Sequence, residues 1–208
     1  MLELGPGTGK QMVPVAACVR SIVGVDVSAD MVAALTPRLS GSHARLVRGS
    51  MDDLPFLGRP APFSLVYGVY SLYYSADPRH VVGAVRRLLR GPRARFVVVA
   101  PDVGNNAGWF TDLGRLFEVP ADALEVPGIC RAVILPALLD HFQSVTCEIH
   151  ESDVRFESLT DLMRYYDACA PYCRPDRRAD AEAHFASTFA RAGSYVITKR
   201  SLGLVARP

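Results

Sequence analysis

The chain opens MLELGPGTGK (residues 1–10), and the fold is read from this stretch outward. Met1, Leu2 and Leu4 make a short apolar strand with a single acid, Glu3, inside it. The strand runs straight into Gly5, Gly7 and Gly9. Glycines at this spacing allow a tight turn and let the backbone come close to a ligand. A dinucleotide fingerprint, G-x-G-x-x-G/A, is excluded because its third position here is Lys10 and the third glycine comes one residue early. A P-loop is excluded because no G-K-[ST] follows. A phosphate seeks backbone N–H groups and positive charge, whereas this loop carries a carboxylate two residues before its first glycine. Glu3 suits a ligand bearing an ammonium or sulfonium group. The next acid, Asp26, ends the second apolar run, SIVGVDV (residues 21–27). A carboxylate at the tip of a second strand can accept from both hydroxyls of a ribose. Together these residues describe a site for a nucleoside with a cationic amino-acid tail.

The first hundred residues alternate strand and helix. Residues 1–4, 21–27, 44–50 (ARLVRGS), 63–70 (FSLVYGVY) and 94–100 (ARFVVVA) are the strand candidates. The last two are continuously apolar, as strands buried on both faces are. Between them, SADMVAALTPRL starts at Ser28, a good N-cap, with Met31, Leu35 and Leu39 on one face. SADPRHVVGAVRRLLRG has Asp77 before Pro78 and Gly91 at its end, which is helix punctuation. Pro14 sits where a helix should follow the glycine loop, so that helix is expected to start late or bend. Such alternation implies βαβ crossovers and a parallel sheet. After Pro101 the rhythm changes. DVGNNAGWFTDL (residues 102–113) reads as a loop carrying Trp109, and ICRAVILPALLDHF as helical. SVTCEIHESDVRF (residues 144–156) reads as a strand, SLTDLMRYYDACAPY and PDRRADAEAHFASTFARAG as helices, and SYVITKRSLGLVARP as a closing strand. Two late strands separated by helices suggest an antiparallel addition at one sheet edge.

Composition sets outer bounds. The 208 residues are half hydrophobic and carry a net charge of +2, too little to argue for a nucleic-acid or membrane partner. No apolar run approaches the ~18 residues of a membrane span, and the N-terminus lacks the regions of a signal peptide, so a cytoplasmic location is expected. RRLLRGPRAR (residues 86–95) reads as a solvated helix end favoured by the helix dipole. Five cysteines give no zinc spacing; Cys18, Cys130 and Cys147 read as small core residues, and Cys169 and Cys173 in CAPYC are expected to bind no metal. No metal is expected anywhere.

LELGPGTG (residues 2–9) and GVDVSADMV (residues 24–32) resemble the first two motifs of the class I S-adenosylmethionine-dependent methyltransferases, in the small-molecule, ubiquinone/menaquinone-methyltransferase-like branch. The resemblance covers residues 1 to about 102 and fits the rest only in outline. It implies an α/β, Rossmann-like, mostly parallel seven-stranded sheet with helices on both faces, an antiparallel C-terminal strand and a helical lid-like insertion. It implies one domain: a cofactor-binding half at 1–102, substrate-side insertions and a strand at 103–193, and a final strand at 194–208. S-adenosyl-L-methionine is the implied cofactor. Glu3, Gly5, Gly7 and Gly9 match the family's first motif, and Asp26 its ribose acid. Val27 and Met31 match the positions that pack on adenine. RGSMDDLPF (residues 48–56) resembles the adenine-edge motif but has Ser50 where an aspartate is usual. A serine hydroxyl accepts more weakly; Met51 would lie along the ring, and Asp52 or Asp53 would compensate or simply cap a helix. In FSLVYGVYSLYY, Gly68 would offer backbone to the methionine amine, and Tyr70 and Tyr73 would border the methyl group.

Methyl transfer from a sulfonium is an in-line displacement that depends on alignment. A base is needed only when the acceptor must lose a proton, so the catalytic residue is not legible; Tyr73, Tyr74 and His141 are the weak candidates, each equally readable as a packing or solvent-facing residue. Trp109, Phe110, Tyr165, Tyr166 and Tyr172 are expected to line an apolar acceptor pocket. The expected function is methylation of an oxygen, nitrogen or carbon of a small hydrophobic metabolite, in bacterial secondary metabolism. Two alternatives stay open: a non-methylating enzyme of the same fold, for example a cyclase, and an inactive binding or scaffold homologue. Relatives carry helices ahead of the first strand, so the chain reads as N-terminally shortened, with an open cofactor site and a homodimer or partner covering it.

Overall fold

The computed structural model describes residues 1–57, 63–169 and 172–208, without the side chains of 55–57. The side chains at the Pro-Phe end of the adenine-edge motif and the Ala-Pro centre of CAPYC therefore lie outside what the structure describes. Seven strands form one sheet in the order β3-β2-β1-β4-β5-β7-β6. They are β1 (Leu2–Leu4), β2 (Ile22–Asp26), β3 (Ala44–Arg48), β4 (Leu65–Val69), β5 (Arg95–Pro101), β6 (Ser144–Phe156) and β7 (Tyr195–Arg207). The first five pair in parallel, and the C-terminal strand is antiparallel. β1 has only three residues but is fully buried, because it lies between β2 and β4 with helices on both faces. That is why it carries leucines on both sides of Glu3.

The helices are α1 (Met12–Ala16), α2 (Ala29–Leu35), α3 (Pro78–Leu88), α4 (Ala107–Gly114), α5 (Ala121–Ile129), α6 (Leu135–His141), α7 (Leu159–Ala168) and α8 (Arg178–Ala192). Helix α1 starts late, at Met12, and Pro14 falls in its first turn, where a missing N–H costs nothing. Ser28, Asp77 and Ser158 cap α2, α3 and α7 by accepting from the N–H three residues on, which removes one orphan donor at each start. Helix α3 stops at Leu88, short of Gly91, because Leu89 turns extended and bridges to Phe63.

The chain divides into two compact units. Unit one is Met1–Ala100, Ile129–Glu148 and Leu202–Pro208; unit two is Pro101–Gly128 and Ile149–Ser201. In unit one, the larger core places Leu2, Leu4, Val66, Phe96 and Val98 against Val81, Val82 and Val85 of α3 and Leu138 of α6. A smaller core holds Met12, Ile22, Leu35, Leu39 and Tyr67. Met31, expected on the same face as Leu35 and Leu39, is only half-buried.

Unit two is built around Trp109. Residues 102–113 were expected to form a loop, but from Ala107 they are helix α4. Only residues 104–106 follow the glycine and asparagine bias: Asn106 takes φ 59°, and the helix then runs because Trp109 and Leu113, four apart, bury one face. Trp109 is 0% exposed and stacks on Phe185 with ring centroids 5.1 Å apart. Helix α5 leads into a π-turn at Cys130–Ile134 before α6. Pro136 has no N–H to give the preceding turn, a known cause of such a bulge. Among the described residues no helix is long and apolar enough to cross a membrane.

Candidate active site at the strand tips

The carboxyl ends of β1, β2 and β4 converge in unit one. The three glycines after β1 all take left-handed backbone, with φ of 67°, 53° and 81°. A Cβ on Gly5 would stand 2.6 Å from Ser71 Cβ, and one on Gly9 2.2 Å from Leu35 Cδ1, but one on Gly7 would meet nothing within 4 Å. The outer glycines are therefore sealed by the protein, and the middle one faces open space. Asp26 fixes that loop. Its Oδ2 accepts from Gly7 N–H at 2.8 Å, and its Oδ1 from Ser28 N–H at 3.0 Å. A carboxylate has about four lone-pair sites, so two remain for a ligand. Beside it, Val27 is 70% exposed, an apolar side chain at the rim of the opening.

Glu3 is 1% exposed and accepts a 2.6 Å hydrogen bond from the Tyr67 hydroxyl. The two are register partners on adjacent strands. Burial raises Glu3 to about 7 despite that hydrogen bond, and burial and Glu3 together raise the Tyr67 phenol. The sign for stability follows. Below about 4.5 the unfolded and folded forms both hold the proton; between about 4.5 and 7 only the folded form does. Stability is therefore expected to fall by ~2–3 kcal/mol as pH rises through that window, then level off. Urea melts from pH 4 to 8 test this, with Glu3→Gln, which still accepts from Tyr67, showing a flatter profile; an equal slope in the variant would exclude Glu3 as the source.

Sequence reasoning missed Tyr67 and Ser71. Ser71 Oγ donates to Leu4 O at 2.6 Å, tying the ends of β1 and β4, and stands 3.0 Å from the position a Cβ on Gly68 would take. Its neighbour Tyr70 has φ 55°, a strained setting for a non-glycine that is common at functional sites, and donates its N–H to Val99 O. A signal for Tyr67 did exist. A buried acid in β1 needs a donor on an adjacent strand, and Tyr67 is the polar side chain within β4.

Ser50 donates to Asp52 Oδ2 at 2.9 Å and accepts from Asp52 N–H at 3.1 Å. One of its two lone pairs stays open. Asp52 is taken up by the protein. Besides Ser50 it accepts from Ser75 Oγ and from the N–H groups of Ala76 and Asp77. Burial pushes its carboxyl up, but the hydrogen bonds, from Ser75 first, win and hold it below the usual range. Asp52 thus braces the turn before α3 rather than waiting for adenine. Met51 is half-buried against the larger core.

Among the weak catalytic candidates, Tyr73 is half-buried, and burial, then Tyr74 and Tyr70, raise its phenol. It is no phenolate base at neutral pH. Tyr74 is 76% exposed. His141 lies at the end of α6 and faces Gly83 in the middle of α3. That places it in the helical layer, away from the strand tips.

Unit two contains a cavity of about 400 Å³ lined by Val103, Asn105, Phe110, Thr111, Leu124 and Pro127, among others. Trp109 and Tyr166 do not reach it; they lie in the core, where Tyr166 donates to Arg174 O at 2.6 Å. Tyr165 accepts from Lys199 Nζ at 2.5 Å. Tyr172 sits behind the wall, edge-on to Phe110 at 5.3 Å.

Residues 1–91 match the model of a family described as Methyltransferase domain. In structure, the chain is similar to the YcgJ protein of Bacillus subtilis, at TM-score 0.62 and 17% identity over 100% of this chain and 91% of that one. It is similar to a putative methyltransferase of Bacillus halodurans C-125, at TM-score 0.62 and 15% identity over 99% and 90%. It is also similar to the plantazolicin methyltransferase BamL, solved in complex with a triazolic desmethylPZN analog and S-adenosylhomocysteine, at TM-score 0.55 and 11% identity over 99% and 76%. No protein of curated description matches in sequence. Over residues 1–91 the chain is thus similar to the methyltransferase-domain family, and its seven-stranded, mostly parallel sheet has the fold of these solved structures.

Proposed function

We propose that this chain transfers the methyl group of S-adenosylmethionine to an oxygen, nitrogen or carbon of a small hydrophobic metabolite. The observation that carries the acceptor class is the unit-two cavity, whose lining residues are apolar apart from the neutral Asn105 and Thr111. A pocket of that size and character suits a small uncharged molecule. The geometry of unit one supports the cofactor roles. Glu3 and the backbone of Gly5, Gly7, Gly9 and Gly68 would hold the amino-acid tail, and the two open lone pairs of Asp26 the ribose. Val27, Met31 and Met51 would border the adenine, with the free lone pair of Ser50 at its amine. Tyr70 and Tyr73 would stand near the methyl group. The cofactor supplies an already activated methyl on sulfur; the protein aligns it with the acceptor and keeps water out. A phenol or carbon acid as acceptor would need a base, and neither His141 nor Tyr73 is set up as one.

Mass spectrometry of a metabolite panel incubated with S-adenosylmethionine tests this. A methylated product with matching S-adenosylhomocysteine is expected; cofactor binding without either would overturn it. Phe110→Ala should raise the acceptor KM about tenfold or more, from an apolar contact worth ~1.5–3 kcal/mol, and leave the cofactor Kd unchanged. An unaltered KM would move the acceptor out of this cavity.

A further inference from the structure

Unit two carries a pair of thiols that methyl transfer does not use. Helix α7 ends at Cys169, whose carbonyl accepts from the N–H groups of Tyr172 at 3.0 Å and Cys173 at 2.9 Å. A bond from residue i+4 back to residue i closes a single α-turn, which brings the two cysteines close together, as a disulfide requires. Both side chains are buried, at 8% and 3% exposure, and their sulfurs are in hydrogen-bond reach of one another.

The surroundings make the two sulfurs unequal. The Tyr172 hydroxyl donates to Cys169 Sγ at 3.2 Å, and Tyr165 also bonds to that sulfur. The Lys199 ammonium, 2.5 Å from the Tyr165 hydroxyl and 4.8 Å above its ring, adds positive charge on the same side. Cys173 instead feels Cys169 and the carboxylate of Asp167. The bond from Cys173 first, then those from the tyrosines and the charge of Lys199, outweigh burial and hold the Cys169 thiol below its ordinary range, while its bond to Cys169 and burial push Cys173 up. Burial in turn lowers Lys199. An ionised sulfur beside a protonated partner is the asymmetry that thiol–disulfide exchange needs.

We propose that Cys169 and Cys173 form a thiol–disulfide exchange site, with Cys169 as the attacking sulfur and a low-molecular-weight disulfide as its substrate. The Cys169 thiolate attacks one sulfur of the incoming disulfide, whose S–S bond breaks, and the first thiol leaves after taking a proton from water. Cys173 then gives up its proton and attacks Cys169 Sγ, which closes the Cys169–Cys173 bond and expels the second thiol. Two electrons pass from the cysteine pair to the small disulfide, which ends as two thiols. The cofactor takes no part, so the site stands apart from the methyltransferase reading.

The test uses the full chain in a Cys18→Ser, Cys147→Ser background, which removes the two exposed thiols. Incubation with oxidised glutathione should cost the protein two hydrogens, mapped by peptide mass to a Cys169–Cys173 link. Adding Cys173→Ser should leave one glutathione trapped on Cys169; adding Cys169→Ser should leave Cys173 unreacted. Trapping on Cys173 instead, or no reaction at either cysteine while the circular dichroism is native, would overturn the proposal. A second readout avoids variants of the pair: native alkylation of Cys169 by iodoacetamide should rise to half its maximum at a pH below the ordinary thiol range, and Lys199→Met should move that midpoint upward. Alkylation seen only in denaturant would also overturn it.

Discussion

Gly7→Asn is expected to leave the fold intact and weaken S-adenosylmethionine binding at least tenfold, whereas Gly9→Ala should destabilise the protein itself. The two glycines sit two residues apart in one loop with similar positive φ, so local sequence does not distinguish them. Their surroundings do. A Cβ at position 9 would lie 2.2 Å from Leu35 Cδ1 and 3.1 Å from Val13 Cγ2. Overpacking there and a left-handed alanine together cost ~2–4 kcal/mol. At position 7 nothing lies within 4 Å, and asparagine is the side-chain residue that best tolerates left-handed backbone. Its bulk would occupy the space the cofactor backbone contact requires. Thermal melts give the stability arm and calorimetric titration the binding arm. Native-like affinity in Gly7→Asn would mean the loop does not approach the cofactor.

The second large effect is at Asp26. Asp26→Ala should weaken cofactor binding by tenfold to a hundredfold, because charge-assisted hydrogen bonds of this kind contribute ~1.5–3 kcal/mol. The same change strips the Gly7 N–H of its 2.8 Å acceptor, so the loop loosens as the ribose contact disappears. Asp26→Asn separates the two effects. Its amide oxygen can still hold Gly7, but it accepts from a ribose without the charge; an intermediate loss of affinity is expected. Equal affinity in all three proteins by calorimetry would remove Asp26 from the site.

Legibility followed distance along the chain. Glu3, the glycines and Asp26 were readable because each is punctuation at the end of a strand whose apolar pattern is local. The caps at Ser28 and Asp77 were readable for the same reason, since each acts on an N–H three residues away. Helix α4 was misread because the glycine and asparagine of residues 104–106 outweighed the only two residues, Trp109 and Leu113, that turn it into a buried helix. Asp52 was ambiguous because its partners Ser75, Ala76 and Asp77 are more than twenty residues distant.

By itself, then, the sequence determined the parallel half of the sheet and the glycine loop with its two flanking acids, Glu3 and Asp26. Both follow from strand periodicity and from residue types at fixed spacing. Only the tertiary structure decided that Gly7 faces open space while Gly5 and Gly9 are sealed, that Tyr67 meets Glu3, and that Ser71 ties β1 to β4. It alone moved Trp109 and Tyr166 out of the expected pocket and into a core, leaving Phe110 at the cavity wall. These are contacts between residues tens of positions apart, and a side chain's identity does not specify what packing will bring against it.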